Sequence, residues 1–274
     1  MESLSNGATI TSCCAAIYQS DWARVLLGDS FHPGGVDLTE HLGRLLALDA
    51  TTRVLDVASG PGTSAIHLAK TFGCHVTGIE FGADAVEAAT MSAITAGVAD
   101  TVRFIQGDAE AMPIANNSFD VVICECAFCT FPDKKTAAHE FMRVLRPGGT
   151  VGISDLTRMV ETVPTELQTL LAWVACIADA QPLQEYQRLL QEAGFTITTT
   201  EAHDDALASL IHAIQGRVIG AEMLVKLQQI SLPVTIDFAQ AKTMARAAKT
   251  AVSQGQFGYS VILASKPIQD EAIF

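Results

Sequence analysis

The stretch Arg53-Val54-Leu55-Asp56-Val57-Ala58-Ser59-Gly60-Pro61-Gly62-Thr63 runs from a short apolar segment through a glycine-rich turn into a helical pattern, and 24 residues beyond Asp56 a second apolar segment closes on Glu80. This order constrains the fold more than any other feature of the chain. A buried strand that feeds a tight turn and a helix, with another buried strand after it, is a β-α-β unit with parallel strands. Glycines let backbone approach a ligand, the helix amides face it, and a carboxylate on the next strand end can accept both hydroxyls of a ribose. The unit reads as an adenosine site; the alternative is a strand-to-helix turn made only for packing.

Pro61 narrows the ligand. It fixes φ and removes a backbone donor where a pyrophosphate would want amides, and no Gly-Lys-Ser or Gly-Lys-Thr phosphate cradle occurs in the chain. A dinucleotide is the weaker candidate on these grounds.

From Thr52 onward strand and helix patterns alternate. Strands are expected over Arg53–Ala58, His75–Glu80, Val102–Gln106, Phe119–Glu125 and Thr150–Asp155, each near-continuously apolar as in a sheet covered on both faces. Helices are expected over Thr63–Thr71, Ala83–Ala96 and Lys135–Leu145, with Arg146-Pro147-Gly148-Gly149 as a turn before the fifth strand. Right-handed crossovers then give a mostly parallel sheet that binds ligands at the carboxyl ends of its strands. Further on, helices at Glu166–Ala178 and Leu183–Ala193, a strand at Phe195–Thr200, mainly helical residues 204–254 and a last strand Tyr259–Ala264 complete the pattern. Two amphipathic helical pieces at Cys14–Leu27 and Leu38–Leu48 precede the sheet. The expected division is an N-terminal helical cap over residues 1–50 and an α/β domain over 51–274, with helical additions at about 157–193 and 204–254.

Composition bears on partners. Seventeen Lys and Arg against 30 Asp and Glu leave a formal charge of −13, and the longest basic run is Lys134-Lys135, so nucleic acid is not an expected substrate. No stretch approaches the length of a membrane span, and the N-terminal residues lack a basic and then apolar leader, so the expected location is the cytoplasm. In that compartment seven cysteines are free thiols rather than disulfides.

The turn Ser59-Gly60-Pro61-Gly62 resembles the first motif of the class I S-adenosylmethionine methyltransferases. The resemblance implies a Rossmann-like sheet, mostly parallel with an antiparallel last strand, helices on both faces, and S-adenosylmethionine as cofactor. It implies that Asp56, Ala58, Ser59, Gly60 and Gly62 line the cofactor, Asp56 reaching the amino group of its methionine part, with Glu80 on the ribose and Phe81 either against the adenine or in the core. Gln106-Gly107-Asp108-Ala109-Glu110-Ala111-Met112-Pro113 matches the family's next loop and puts Asp108, Ala109 and Glu110 around the adenine. Cys124 is grouped with these residues. Glu80 is favoured over Asp56 as a ligand-holding acid, because a carboxylate ending an apolar strand needs a partner.

The acceptor is approached through the cysteines. The segment Cys124-Glu125-Cys126-Ala127-Phe128-Cys129-Thr130-Phe131-Pro132-Asp133-Lys134 resembles arsenite methyltransferases, which carry Asn-Cys, a short variable stretch and Pro-Asp-Lys. Trp173-Val174-Ala175-Cys176, ahead of Glu192-Ala193-Gly194-Phe195, and Thr11-Ser12-Cys13-Cys14 resemble two further segments of that family. The comparison implies that Cys126, Cys176 and Cys13 or Cys14 hold a trivalent arsenical, with a thiol reductant as partner. Soft, pyramidal arsenic suits two or three thiolates, which leave its lone pair free for methyl transfer. Cys74, Cys124 and Cys129 are expected as buried hydrophobes.

The family's Tyr-Tyr-Gly-Cys segment is replaced by Leu27-Gly28-Asp29-Ser30-Phe31-His32-Pro33-Gly34-Gly35, which removes one usual cysteine and leaves open a preference for methylated arsenicals. In that loop His32 is expected at the surface, with a place at the cofactor or substrate as the alternative. His203 and His212 show no metal-ligand spacing, and no metal site is expected. The rival functions are methylation of another small metabolite on carbon, oxygen or sulfur, and non-catalytic binding of a metalloid by thiols.

Overall fold

A computed structural model describes residues 32–162, 167, 179–229 and 237–268. Cys13, Cys14 and Cys176 lie outside the described residues, as do most of the expected N-terminal cap and the expected helix Glu166–Ala178, apart from Leu167.

Seven strands form one sheet: β1 Arg53–Val57, β2 His75–Glu80, β3 Val102–Gln106, β4 Phe119–Glu125, β5 Leu145–Arg158, β6 Thr196–Ala202 and β7 Phe257–Ser265. Their order is β3-β2-β1-β4-β5-β7-β6. β7 runs antiparallel to both its neighbours, and the strands from β3 through to β5 are parallel. The expected fold class is borne out.

Among the described residues the α-helices are α1 Gly35–Leu45, α2 Thr63–Phe72, α3 Ala83–Ala96, α4 Lys134–Val144, α5 Leu183–Glu192, α6 Asp204–Lys226 and α7 Phe238–Ser253. α1, α2 and α3 pack in sequence, α4 packs on α5, and α6 and α7 form a pair against β7. Val54, Leu55, Val57, Val122, Ile123, Val151 and Ile153 are sealed at the centre. Strands with both faces covered must be apolar at every position, which explains their continuous hydrophobic runs.

The fifth strand departs from expectation. It begins at Leu145, so Arg146-Pro147-Gly148-Gly149 is part of the strand rather than a turn ahead of it. Gly148 donates to the Lys266 carbonyl (3.0 Å) and Lys266 to Gly149 (2.8 Å), and a register shift between Phe119 and Val121 absorbs the irregularity. Backbone pairing with a segment about 120 residues away overrides the local turn signal.

Strand order reverses between β1 and β4, where Val54, Leu55 and Asp56 pair with Val121, Val122 and Ile123. Helices following β1 and β4 leave in opposite directions at such a point, and a crevice opens above the carboxyl ends.

Candidate active site at the carboxyl ends of β1, β2 and β4

The glycine turn is built by backbone that few side chains tolerate. Ala58 leaves β1 at φ +58°, Gly60 lies at +50°, and Gly62 starts α2 at +82°. A Cβ on Gly62 would sit 2.4 Å from Phe104 Cζ and 3.2 Å from Ala89 Cβ, so glycine is required by both conformation and space. A Cβ on Gly60 would meet nothing within 4 Å, which marks the open side of the turn.

Glu80 ends β2 and turns back over this loop. Its carboxylate accepts the amides of Gly60 (3.0 Å) and Gly82 (3.2 Å). Contrary to the expectation for an acid closing an apolar strand, Glu80 does not depend on a ligand for partners: backbone donors meet part of its need. The unmet acid is Asp56. It is buried, and both Asp56 Oδ2 and the neighbouring Ser59 Oγ have no hydrogen-bond partner among the described residues. Burial pushes the Asp56 carboxyl well above the usual range, aided by the charges of Glu125 and Glu80 and opposed by a hydrogen bond from the Ala65 amide.

Glu125, which ends β4, is a residue that the sequence reading passed over. Its carboxylate accepts Ser64 Oγ (2.6 Å) from α2 and Thr39 Oγ1 (3.0 and 3.2 Å) from α1. His32 Nε2 lies 3.7 Å from Glu125 Oε2 and 3.3 Å from Thr39 Oγ1. His32 is only 7% exposed, so the surface expectation is overturned. The polar group that it joins repays its burial. The rule applied to Glu80, an acid closing an apolar strand, would have found Glu125 too.

Cys126 follows at φ +53°, a conformation rare for a side-chain-bearing residue. Its amide donates to the Ser154 carbonyl (2.7 Å), and that carbonyl also accepts Tyr259 Oη (3.1 Å). Burial raises the Tyr259 hydroxyl well above its usual range, with Cys126, Asp155 and Glu125 adding to the effect. Asp155, buried in β5, accepts the Cys129 amide (2.9 Å) and holds the loop after β4 against the sheet.

The remaining sequence-derived residues are dispersed around this centre. Cys74 and Cys129 are buried as expected. Cys124 is sealed inside β4, with burial and Asp155 raising its thiol, and presents no surface to the crevice. Asp108 accepts the Glu110 amide (2.9 Å) in its own loop. Glu110 itself accepts the Asp133 amide (2.7 Å), which ties the loop after β3 to the loop after β4. Ala109 and Phe81 are half-buried at their strand ends, and the Phe81 carbonyl accepts Gln106 Nε2. In the Pro-Asp-Lys segment, Asp133 caps α4 by accepting the Thr136 amide (2.9 Å), and Lys134 Nζ donates to Asp179 (2.5 Å).

Three acids thus converge on the crevice, one with an unpartnered buried oxygen, beside an open glycine turn. That donor set fits a ligand with a hydroxylated sugar and cationic groups, and S-adenosylmethionine carries a ribose, an ammonium and a sulfonium.

Residues 48–214 match the family model described as "Methyltransferase domain". The chain belongs to this methyltransferase family. The methyltransferase is 33% identical over 169 residues to 27-O-demethylrifamycin SV methyltransferase of Amycolatopsis mediterranei, covering 60% of this chain and 61% of that one. It is 30% identical over 158 residues to an arsenite methyltransferase of Halobacterium salinarum, covering 56% and 39%. The fold matches phosphoethanolamine N-methyltransferase 2 of Haemonchus contortus, solved with S-adenosyl-L-methionine, at a TM-score of 0.71 and 17% identity over 96% of this chain and 58% of that one. The methyltransferase spans less than two thirds of the length of each of these relatives. Among the described residues no helix is long and apolar enough to cross a membrane.

Proposed function

We propose that this chain transfers a methyl group from S-adenosylmethionine to a trivalent arsenical held on cysteine thiolates. The observation that carries the reading is Cys126. Of the four described cysteines it alone is not fully buried, and it stands at the crevice end of β4 directly after Glu125. Its left-handed backbone is strain of the kind that surrounding structure maintains at working sites.

The geometry above supports a set of donor-binding residues. Glu80 would hold the ribose with its remaining acceptor capacity, the loop Asp108–Glu110 would flank the adenine, and Asp56 would meet the ammonium directly or through water. When bound, S-adenosylmethionine supplies an electrophilic methyl on a sulfonium. The acids Glu80 and Glu125 around Asp56 make the crevice favourable for cationic groups, and a bound ammonium would favour ionised Asp56. Cys126, with Cys176 and Cys13 or Cys14, would bind arsenic with loss of the thiol protons and leave the arsenic lone pair as the nucleophile, so positioning is the main catalytic contribution.

The likeness to the Halobacterium enzyme supports the same acceptor.

A second reading is methylation of a hydroxyl or another protic group, favoured by the His32–Glu125 pair, which could take a proton from such an acceptor. Cys126→Ser and Cys176→Ser separate the two. Under the arsenical reading each abolishes methylation of arsenite and methylarsenite, while donor affinity by calorimetry is retained. Undiminished arsenical turnover in both variants refutes it.

A further inference from the structure

Away from the crevice, His41 of α1, Glu201 near the end of β6 and His203 at the start of α6 bring three ligand atoms together. His41 Nε2 lies 2.7 Å from Glu201 Oε2, and His203 Nε2 lies 3.2 Å from the same oxygen. The three ligand atoms are all within 4.8 Å of one another, and the two rings meet edge to face with centroids 5.5 Å apart. His41 and Glu201 are 160 residues apart in the chain.

We propose that this triad is a binding site for a divalent transition-metal ion of the zinc class. Two imidazoles and one carboxylate are a donor set that such ions favour, and three protein ligands leave a fourth position for water. A tetrahedral ion with bonds of about 2.0–2.1 Å needs ligand atoms about 3.3–3.4 Å apart. The two separations to Glu201, 2.7 and 3.2 Å, fall just short of that value, and the side chains are 40%, 33% and 23% exposed, so small side-chain rotations open the centre and solvent supplies an entry path. The backbone on one side is already firm: the His203 amide donates to the Tyr259 carbonyl (2.7 Å), and Glu201 is paired with Val261 of β7.

The ion would join α1 to the β6–α6 junction. α1 also carries Thr39, which donates to Glu125 in the crevice, so the clamp would steady the helix on which that acid depends. This site is independent of the arsenical reading, because it uses no thiol.

Titration of the reduced, full-length protein with Co(II) tests the proposal. The expected result is one equivalent bound, with visible ligand-field absorption, no sulfur-to-cobalt charge-transfer band, and displacement by Zn(II). Glu201→Gln and His203→Ala should each weaken binding by about 100-fold or more, with an unchanged far-ultraviolet circular dichroism spectrum and retained S-adenosylmethionine binding. Cys126→Ser should leave the spectrum as it is. The proposal is overturned if Co(II) does not bind, if its spectrum shows thiolate ligation, or if both folded variants bind it as the parent does.

Discussion

Replacing Cys126 by glycine and by alanine tests whether β4 ends in strained backbone. Both variants lose the thiol, but alanine keeps the Cβ that makes φ +53° costly. A left-handed residue other than glycine pays about 1–2 kcal/mol. Glycine avoids this and loses about 0.5–1 kcal/mol through the greater freedom of its unfolded chain. The balance favours Cys126→Gly over Cys126→Ala by about 0.5–1 kcal/mol, the reverse of the usual order within strands and helices. Urea unfolding of both variants, followed by far-ultraviolet circular dichroism, measures the difference directly. A less stable glycine variant would refute the assignment of stored strain and weaken the case for Cys126 as a working residue. Neither variant should methylate arsenicals.

Three other substitutions probe the crevice. Asp56→Asn should weaken S-adenosylmethionine binding in calorimetry and yet stabilise the protein: because the folded-state pKa is raised, ionisation destabilises the fold as pH rises above the ordinary carboxylate value of 3.8. Its advantage in melting temperature should therefore grow as pH rises above about 4 and level off once the raised folded-state pKa is passed, and a pH-independent difference would contradict the burial argument. Gly62→Ala combines left-handed strain with a Cβ 2.4 Å from Phe104, and should lower unfolding free energy by about 2–4 kcal/mol as read from urea midpoints. Thr39→Val keeps the shape but removes a donor to buried Glu125, for an expected loss of about 1–3 kcal/mol in the same assay.

The β-α-β unit was legible because its signals are local. Glycine at Gly62 answers a backbone requirement within the turn, and the apolar runs of β1, β2 and β4 report burial on both faces, whereas the edge strand β3 alternates, with Arg103 and Gln106 exposed. The ends of β1, β2, β3 and β4 could be marked to within a residue or two, and Glu80 and Asp56 were singled out by position. The balance between those acids was not legible. Whether a carboxylate is met by amides, as Glu80 is by Gly60 and Gly82, depends on how a side chain folds back over a neighbouring loop.

Sequence by itself therefore determined the sheet, the glycine turn after β1 and the presence of thiols near the end of β4, since periodicity and spacing act over a few residues at a time. Tertiary structure alone decided that His32 is buried, that Thr39 and Ser64 share Glu125, that Cys126 lies in left-handed backbone, and that His41 meets Glu201 and His203. Each of these joins groups that are distant in the chain or sets a dihedral angle that no residue type announces, and only the closed packing of helices on strands brings them about.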